Sequence, residues 1–368
     1  MPLSDVRHQD APQRYIQRAM RTGRLPHGLI FAGPDGVGKQ LFAERLAGVL
    51  LCQSPIDHDG VQDACGKCVN CDMSGAGTHP DFHLVHRLLN KFHPSATVRA
   101  RKATQLSIAV IRHFVIGPIG MRPSHAAAKV FVIAEAELMN AEAQNAMLKT
   151  LEEPPNNSHI ILIARSADGL LETIRSRCQL VQFASLPTAF VRERLHAAQP
   201  KLDDAESHFI AELAGGSIGR AIWLASIGLH EQIETTAGTI VEAMRDPVAA
   251  GAGTANAAKA LSDRIKTDDD TDAASDTNLA RLGQSTQIAL ITSLLRESLR
   301  IAVGVEPAPF MPSQLARIAA QSSPRALSDA IRSLNTADFY VSRSANTNLI
   351  FDSIGIAIRR AFERKSAA

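Results

Sequence analysis

The chain has 368 residues, 45% of them hydrophobic and 4% aromatic, with a formal net charge of +2. That length holds two or three domains at ~100–200 residues each, and their cores must be built from Leu, Ile, Val and Ala. Nothing in that near-neutral balance demands nucleic acid, so any DNA contact needs a local patch.

The first ten residues, MPLSDVRHQD, are polar, so no signal peptide is predicted. No apolar run approaches the ~20 residues of a membrane helix. Residues 1–185 alternate short apolar runs with helical stretches. Gly28–Gly33, Ala128–Ala134 and His159–Ala164 read as buried strands of a parallel sheet, because they are apolar on both faces. Between them, Lys39–Leu51, Leu106–Phe114 and Ala141–Glu153 read as helices, the last stopped by Pro154 and Pro155. This alternation predicts an α/β layer fold.

No comparable strand is predicted from Leu186 onward. Residues 188–226 read as a small helical unit with a Gly-Gly-Ser turn at 215–217. Residues 247–285, rich in Ala, Gly, Thr and Asp and holding the acidic run 267–276, read as a flexible insertion. Residues 286–303 and 349–363 read as amphipathic helices of an all-α domain.

Residues 33–40 spell Gly-Pro-Asp-Gly-Val-Gly-Lys-Gln between a predicted strand and a predicted helix, the context of a phosphate-binding loop. Gly33, Gly36 and Gly38 let backbone N–H groups turn inward on phosphates. Lys39 would reach the terminal ones. The next position calls for a Ser or Thr hydroxyl on Mg²⁺, and Gln40 stands there. The acidic pair expected at the end of a later strand falls at 134–135, where Ala134 replaces the metal-holding carboxylate and Glu135 remains. Phosphoryl transfer leans on that metal, so ATP hydrolysis is not expected; nucleotide binding is left open.

Four of the five cysteines, Cys52, Cys65, Cys68 and Cys71, form a cluster with two short spacings. Four thiolates suit a tetrahedral zinc ion with no position left for water, hence a structural Zn²⁺ site in a reducing cytoplasm. Cys178, alone, reads as a small buried residue. Between Asp81 and Glu135 there is no acidic residue but eight Lys and Arg. Without interleaved aromatics this run reads as a solvated face in preference to a phosphate-binding one. Arg177, in Ser176-Arg177-Cys178, is either a surface residue or an arginine finger; its chemistry alone does not choose.

Together these residues resemble the bacterial clamp-loader family of AAA+ proteins of DNA polymerase III. The segments that carry the resemblance are Gly23–Gly28, the four-cysteine insertion, His79–Phe82, Asn145–Pro155 and Thr173–Cys178. The match covers roughly residues 7–226, with Asn346–Leu349 similar to the collar of these subunits. The resemblance implies a RecA-like AAA+ P-loop domain with a parallel sheet over residues 1–186, the zinc module (52–71) inserted in it. It further implies a helical lid over 187–230 and a helical collar over 231–368.

It also implies a hetero-pentamer with gamma/tau and delta subunits that loads the sliding clamp on primed DNA, as part of a holoenzyme whose chemistry is nucleotidyl transfer. Arg177 maps onto a finger that enters a neighbour's ATP site, and Arg220 onto the lid's sensor arginine. The departures at Gln40 and Ala134 favour the delta-prime branch over an active gamma/tau-type ATPase. A zinc module binding DNA alone would need a basic, aromatic-studded surface, which the composition lacks.

Overall fold

The computed structural model describes residues 2–58, 61–266, 276–306, 312–343 and 345–363. They divide into two compact units, the first made of residues 1–187 with 216–219, the second of 188–215 with 220–368.

In the first unit, α1 (Asp10–Arg21) precedes β1 (Gly28–Ala32) and α2 (Lys39–Leu51). A small hairpin, β2 (Ile56–His58) with β3 (Val61–Asp63), and α3 (Val69–Gly75) carry the cysteines. Then follow β4 (Phe82–Val85), α4 (Ala96–Arg99), α5 (Ile108–Ile111), a π-helical turn Arg112–Ile116, α6 (Gly117–Ile119) and β5 (Lys129–Ile133). The unit is completed by α7 (Ala141–Glu152), β6 (Ser158–Ala164), α8 (Glu172–Arg175) and β7 (Gln179–Gln182).

The strands lie in the order β4-β5-β6-β1-β7, every pair parallel. β1, β5 and β6 are buried along their whole length, as their two-sided apolar sequences require. One face of the sheet packs Ile30, Phe131, Ile133, Ile160 and Leu162 against Leu106, Val110, Val115 and Met147. On the other, Phe31, Phe42 and Phe183 meet with ring centroids 5.1–5.6 Å apart. Helix α7 begins where the Asn140 side chain accepts the Ala143 N–H, and it ends before Pro154. A parallel sheet with a phosphate loop after its first strand and helices on both faces is the α/β layer architecture the sequence predicts.

Among the described residues the second unit is helical: α9 (Thr188–Ala198), α10 (Asp204–Leu213), α11 (Ile218–Ser226), α12 (Ile233–Glu242), α13 (Pro247–Lys266), α14 (Asp276–Ala302), α15 (Ser313–Gln321), α16 (Pro324–Ser342) and α17 (Thr347–Glu363). Asp203 and Glu206 form a reciprocal capping box at the start of α10. α11 straddles the division between the units.

One expectation is corrected here. The stretch 247–285 is no flexible insertion over its described part, since α13 and the first turns of α14 occupy it; residues 267–275 lie outside the described residues. Its low hydrophobicity hides a face of small residues, Ala250, Gly251, Thr254, Ala258 and Ser262, all buried. Small side chains let helices approach closely. A Cβ on Gly283 of α14 would stand 2.2 Å from Ser262 Oγ, and one on Gly251 would stand 2.7 Å from Asp352 Oδ1.

Candidate functional site: a phosphate loop and a thiol cluster at the two ends of one helix

Helix α2 joins the two candidate sites. Lys39 is its first residue, and Cys52 is the residue that caps its end.

At the N-terminal end, the loop from Gly33 to Gly38 turns through positive φ at Gly33, Gly36 and Gly38. A Cβ on Gly33 would strike the Phe183 carbonyl oxygen at 2.4 Å, and one on Gly36 would strike Ser217 Oγ at 2.4 Å. Gly36 O accepts the Gly219 N–H at 3.2 Å. Gln9 ties the loop to the segment after β7, donating to Val37 O and Ala184 O and accepting the Ala184 N–H.

The loop faces a cleft of about 360 Å³ at the carboxyl ends of β1, β5 and β6, lined by Gly36, Gly38, Lys39, Gln40, Ala134 and Glu135, among others. Clefts at the carboxyl edge of a parallel sheet are where such folds bind ligands. Gly36, Gly38, Lys39, Gln40, Ala134 and Glu135 are therefore together, but their chemistry is turned inward. Lys39 is buried, and its ammonium donates to the carbonyls of Gly33 and Pro34, each at 2.6 Å. Burial pushes its pKa down, against the opposing pull of Asp35 and Glu137. Gln40 points its amide at Glu44 Oε1, 2.9 Å away. Glu135, itself at φ 53°, is held by Arg87 Nε, 3.1 Å from each carboxylate oxygen. The set does not fit Mg²⁺: Gln40 and Ala134 supply neither the hydroxyl nor the carboxylate such an ion needs.

Three further cleft residues escaped the sequence reading. Arg165, just after β6, places Nε 3.3 Å from Asp35 Oδ2 and 3.1 Å from Glu137 Oε1. The other oxygen of Glu137 is buried without a hydrogen-bond partner. The available signal was position: Asp35 lies inside the loop, and Arg165 directly follows the strand that pairs with β1.

At the far end of α2, the four sulfurs of Cys52, Cys65, Cys68 and Cys71 all lie within 4.8 Å of one another. The close pairs are 3.6–3.9 Å apart, near the ~3.8 Å edge of a tetrahedron with Zn–S bonds of ~2.3 Å. The donor set fits a structural metal ion. Hydrogen bonds from backbone groups bring the Cys68 thiol down to about 6 despite its desolvation. Burial and the neighbouring thiols push Cys71 up to about 12. The cluster is bound to the rest of the unit from outside. Asp63 accepts the N–H groups of Leu3 and Ser4 at 2.8 and 3.2 Å. Gln17 exchanges two 2.8 Å hydrogen bonds with the Gln62 backbone.

Arg177 follows α8 at a partly exposed corner, where Nε donates to Glu152 Oε1 at 2.7 Å and the guanidinium also reaches Thr173 O. Burial pushes the Cys178 thiol up to about 12. Arg220 belongs to the second unit, where it lines a cavity with Glu212, Arg296, Arg300 and Asp338. Part of the acid-free run 82–134 is satisfied internally. Arg87 pairs with Glu135, Lys129 donates to Pro118 O, and Arg99 donates to His93 O and Pro94 O. Lys91, Arg101, Lys102, Arg112 and Arg122 are exposed. No described helix is long and apolar enough to cross a membrane.

Residues 8–187 match the profile of a family described as DNA polymerase III, delta subunit. Among curated relatives, DNA polymerase III subunit delta-prime of Pseudomonas aeruginosa is 32% identical over 225 residues, 61% of this chain and 63% of that one. The delta-prime subunit of Bacillus subtilis is 32% identical over 187 residues, 51% of each chain. The tau subunit of Bacillus subtilis is 26% identical over 226 residues, 60% of this chain and 37% of that one. The chain thus spans about half to two-thirds of the delta-prime relatives it matches. Residues 8–187, which hold the phosphate loop, the thiol cluster and Arg177, are thus similar to the DNA polymerase III delta-subunit family and to the delta-prime proteins.

Proposed function

We propose that the protein is a delta-prime-type clamp-loader subunit that does not hydrolyse ATP and completes the active site of a neighbouring ATPase. Its partners are gamma/tau and delta subunits in a hetero-pentamer, which opens the sliding clamp and places it on primed DNA. The observation that carries this reading is the fate of the phosphate loop: the fold of an ATPase site is intact, while Gln40 and Ala134 have removed both metal-holding groups. The same two residues weigh against an active gamma/tau-type motor.

Arg177 is the residue offered to the neighbour. Its partner within this chain is Glu152, and both side chains are partly exposed, at 33% and 48%. Such pairs are worth about 0–1 kcal/mol, so the guanidinium leaves Glu152 at small cost when a γ-phosphate stands opposite. There it would stabilise the charge that spreads over the transferred phosphoryl group. The four cysteines hold structural Zn²⁺, residues 187–230 act as the helical lid with Arg220 at its sensor position, and 231–368 form the collar.

The test is the reconstituted complex carrying Arg177→Ala. The variant is expected to fold and to assemble, while DNA- and clamp-stimulated ATP hydrolysis by the complex falls by up to ~10³-fold. An unchanged rate would sink the in-trans role.

A further inference from the structure

The phosphate loop contains an anion of its own. Asp35, second residue after Gly33, sends one carboxylate oxygen toward Lys39 Nζ at 3.7 Å and the other toward Arg165 Nε at 3.3 Å. Lys39 is the one buried member, 5% exposed, whereas Asp35 and Arg165 are 69% and 63% exposed. Arg165 is also drawn to Glu137 Oε1 at 3.1 Å. An oxygen-bearing anion thus bridges two cations at the mouth of the cleft.

Two features mark that place as suited to a phosphate. The loop glycines turn through positive φ, the conformation that aims backbone N–H groups into a concavity. The cleft carries cations from two different strand ends, Lys39 after β1 and Arg165 after β6, and at positions 40 and 134 it lacks the hydroxyl and carboxylate that would hold a divalent ion beside the loop.

We propose that the Asp35 carboxylate stands in for a ligand phosphate between Lys39 and Arg165, so that the loop is plugged by its own side chain. The ligand it excludes is a polyphosphate such as the diphosphate of a nucleotide. With the plug withdrawn, Arg165 supplies the second positive charge that a metal ion supplies elsewhere, and binding needs no Mg²⁺. Because Asp35 and Arg165 are exposed, their pairing is weak, and the plug works by occupancy and like-charge repulsion of the incoming phosphate. This inference rests on reading residues 33–40 as a phosphate loop, and it is independent of the finger role of Arg177.

The experiment is calorimetric titration of the full chain with ADP and with inorganic tripolyphosphate, each with Mg²⁺ and with EDTA. Asp35→Asn removes the charge and keeps the volume. It is expected to bind both probes at least tenfold more tightly than the unmodified chain, equally well in EDTA, and to lose that gain when Arg165→Ala is added. Asp35→Ala serves as the second variant, and thermal melting checks that each is folded. The proposal is overturned if neither Asp35 variant gains affinity, if the gain survives Arg165→Ala, or if EDTA abolishes it. If the Asp35→Asn protein binds ATP and also hydrolyses it, the plug stands and the non-hydrolysing reading falls.

Discussion

The two ends of α2 have had opposite histories. At Lys39 the scaffold is whole and the expected side chains are missing: the glycines turn, the strands converge, and Gln40 and Ala134 stand at the metal-holding positions. At Cys52 the donors are all in place, on a scaffold of one short hairpin and two turns of helix. The difference shows what each site asks of its protein. A phosphate loop is made mostly of backbone, so it can persist without its metal-holding side chains because the sheet needs it: Gly33 lets the loop pass against Phe183, and Gln9 braces Val37. A thiol site is made of side chains, and without all four the hairpin has too little apolar surface to hold itself together. Helix polarity sharpens the contrast. The N-terminal end attracts anions, whereas the C-terminal end disfavours thiolates, so a cation held by the four sulfurs would offset both the helix end and the sulfurs' own repulsion.

The largest effect should come from breaking the thiol end. Structural zinc contributes ~10–16 kcal/mol in isolated zinc-finger peptides. Cys65→Ser, or chelation with a strong zinc ligand, is expected to melt the hairpin and α3 and to lower Tm by ~10 °C or more. Hydrogen exchange should show the loss concentrated in residues 53–75. A thiol variant that melts like the parent would mean that the cluster is not a metal site.

Next in size is repair of the other end. On an Asp35→Asn background, Gln40→Thr with Ala134→Asp returns the two missing donors. Nucleotide affinity should become ~10-fold stronger with Mg²⁺ than without it, read by titration. Absence of any Mg²⁺ dependence would show that the scaffold, too, has drifted. A smaller effect is expected for Gln17→Ala, which removes two hydrogen bonds between α1 and the hairpin. At about 0.5–1.5 kcal/mol each, denaturant unfolding should register a loss of ~1–2 kcal/mol.

The smallest effect probes the sheet that both ends share. His79, His83, His86 and His159 are all pushed below the usual histidine range, burial being the largest cause in each. Burial favours their neutral form in the folded chain. Above the unfolded pKa of ~6.5 both states are neutral and stability is full. Below it the unfolded chain takes up protons that the folded one refuses, so stability falls as the pH drops. Melting scans from pH 7.5 to 5.5 should show a falling Tm, with a shallower slope in His159→Gln.

How much of this was legible in the sequence depends on how local each feature is. The bounds of α2 were readable to the residue, because a glycine loop opens it and an apolar helical face runs to Cys52. The three central strands were readable because they are apolar on both faces. β4 and β7 were not: each has four residues, and β7 (Gln-Leu-Val-Gln) buries one of them at the sheet edge. α13 was misread because close packing through Ala, Gly, Ser and Thr leaves no hydrophobic stripe. At the sites, Lys39, Gln40, Ala134 and the cysteines announce themselves by spacing. The bridge from Asp35 through Arg165 to Glu137 joins three segments brought together only by strand order, and no local pattern encodes that.

The reciprocal bonds of Gln17 with Gln62 carry a consequence for the behaviour of the chain in crowded solution. A two-stranded ribbon leaves unpaired backbone along its outer edges, and such edges recruit strands from other molecules. Here a primary amide, which offers one donor and one acceptor in the spacing of a peptide group, sits where a third strand would begin. At Gln62 the outer edge of β3 is closed by this one side chain. Losing that glutamine would open a sticky margin on the molecule, and the first symptom to appear on storage would be turbidity.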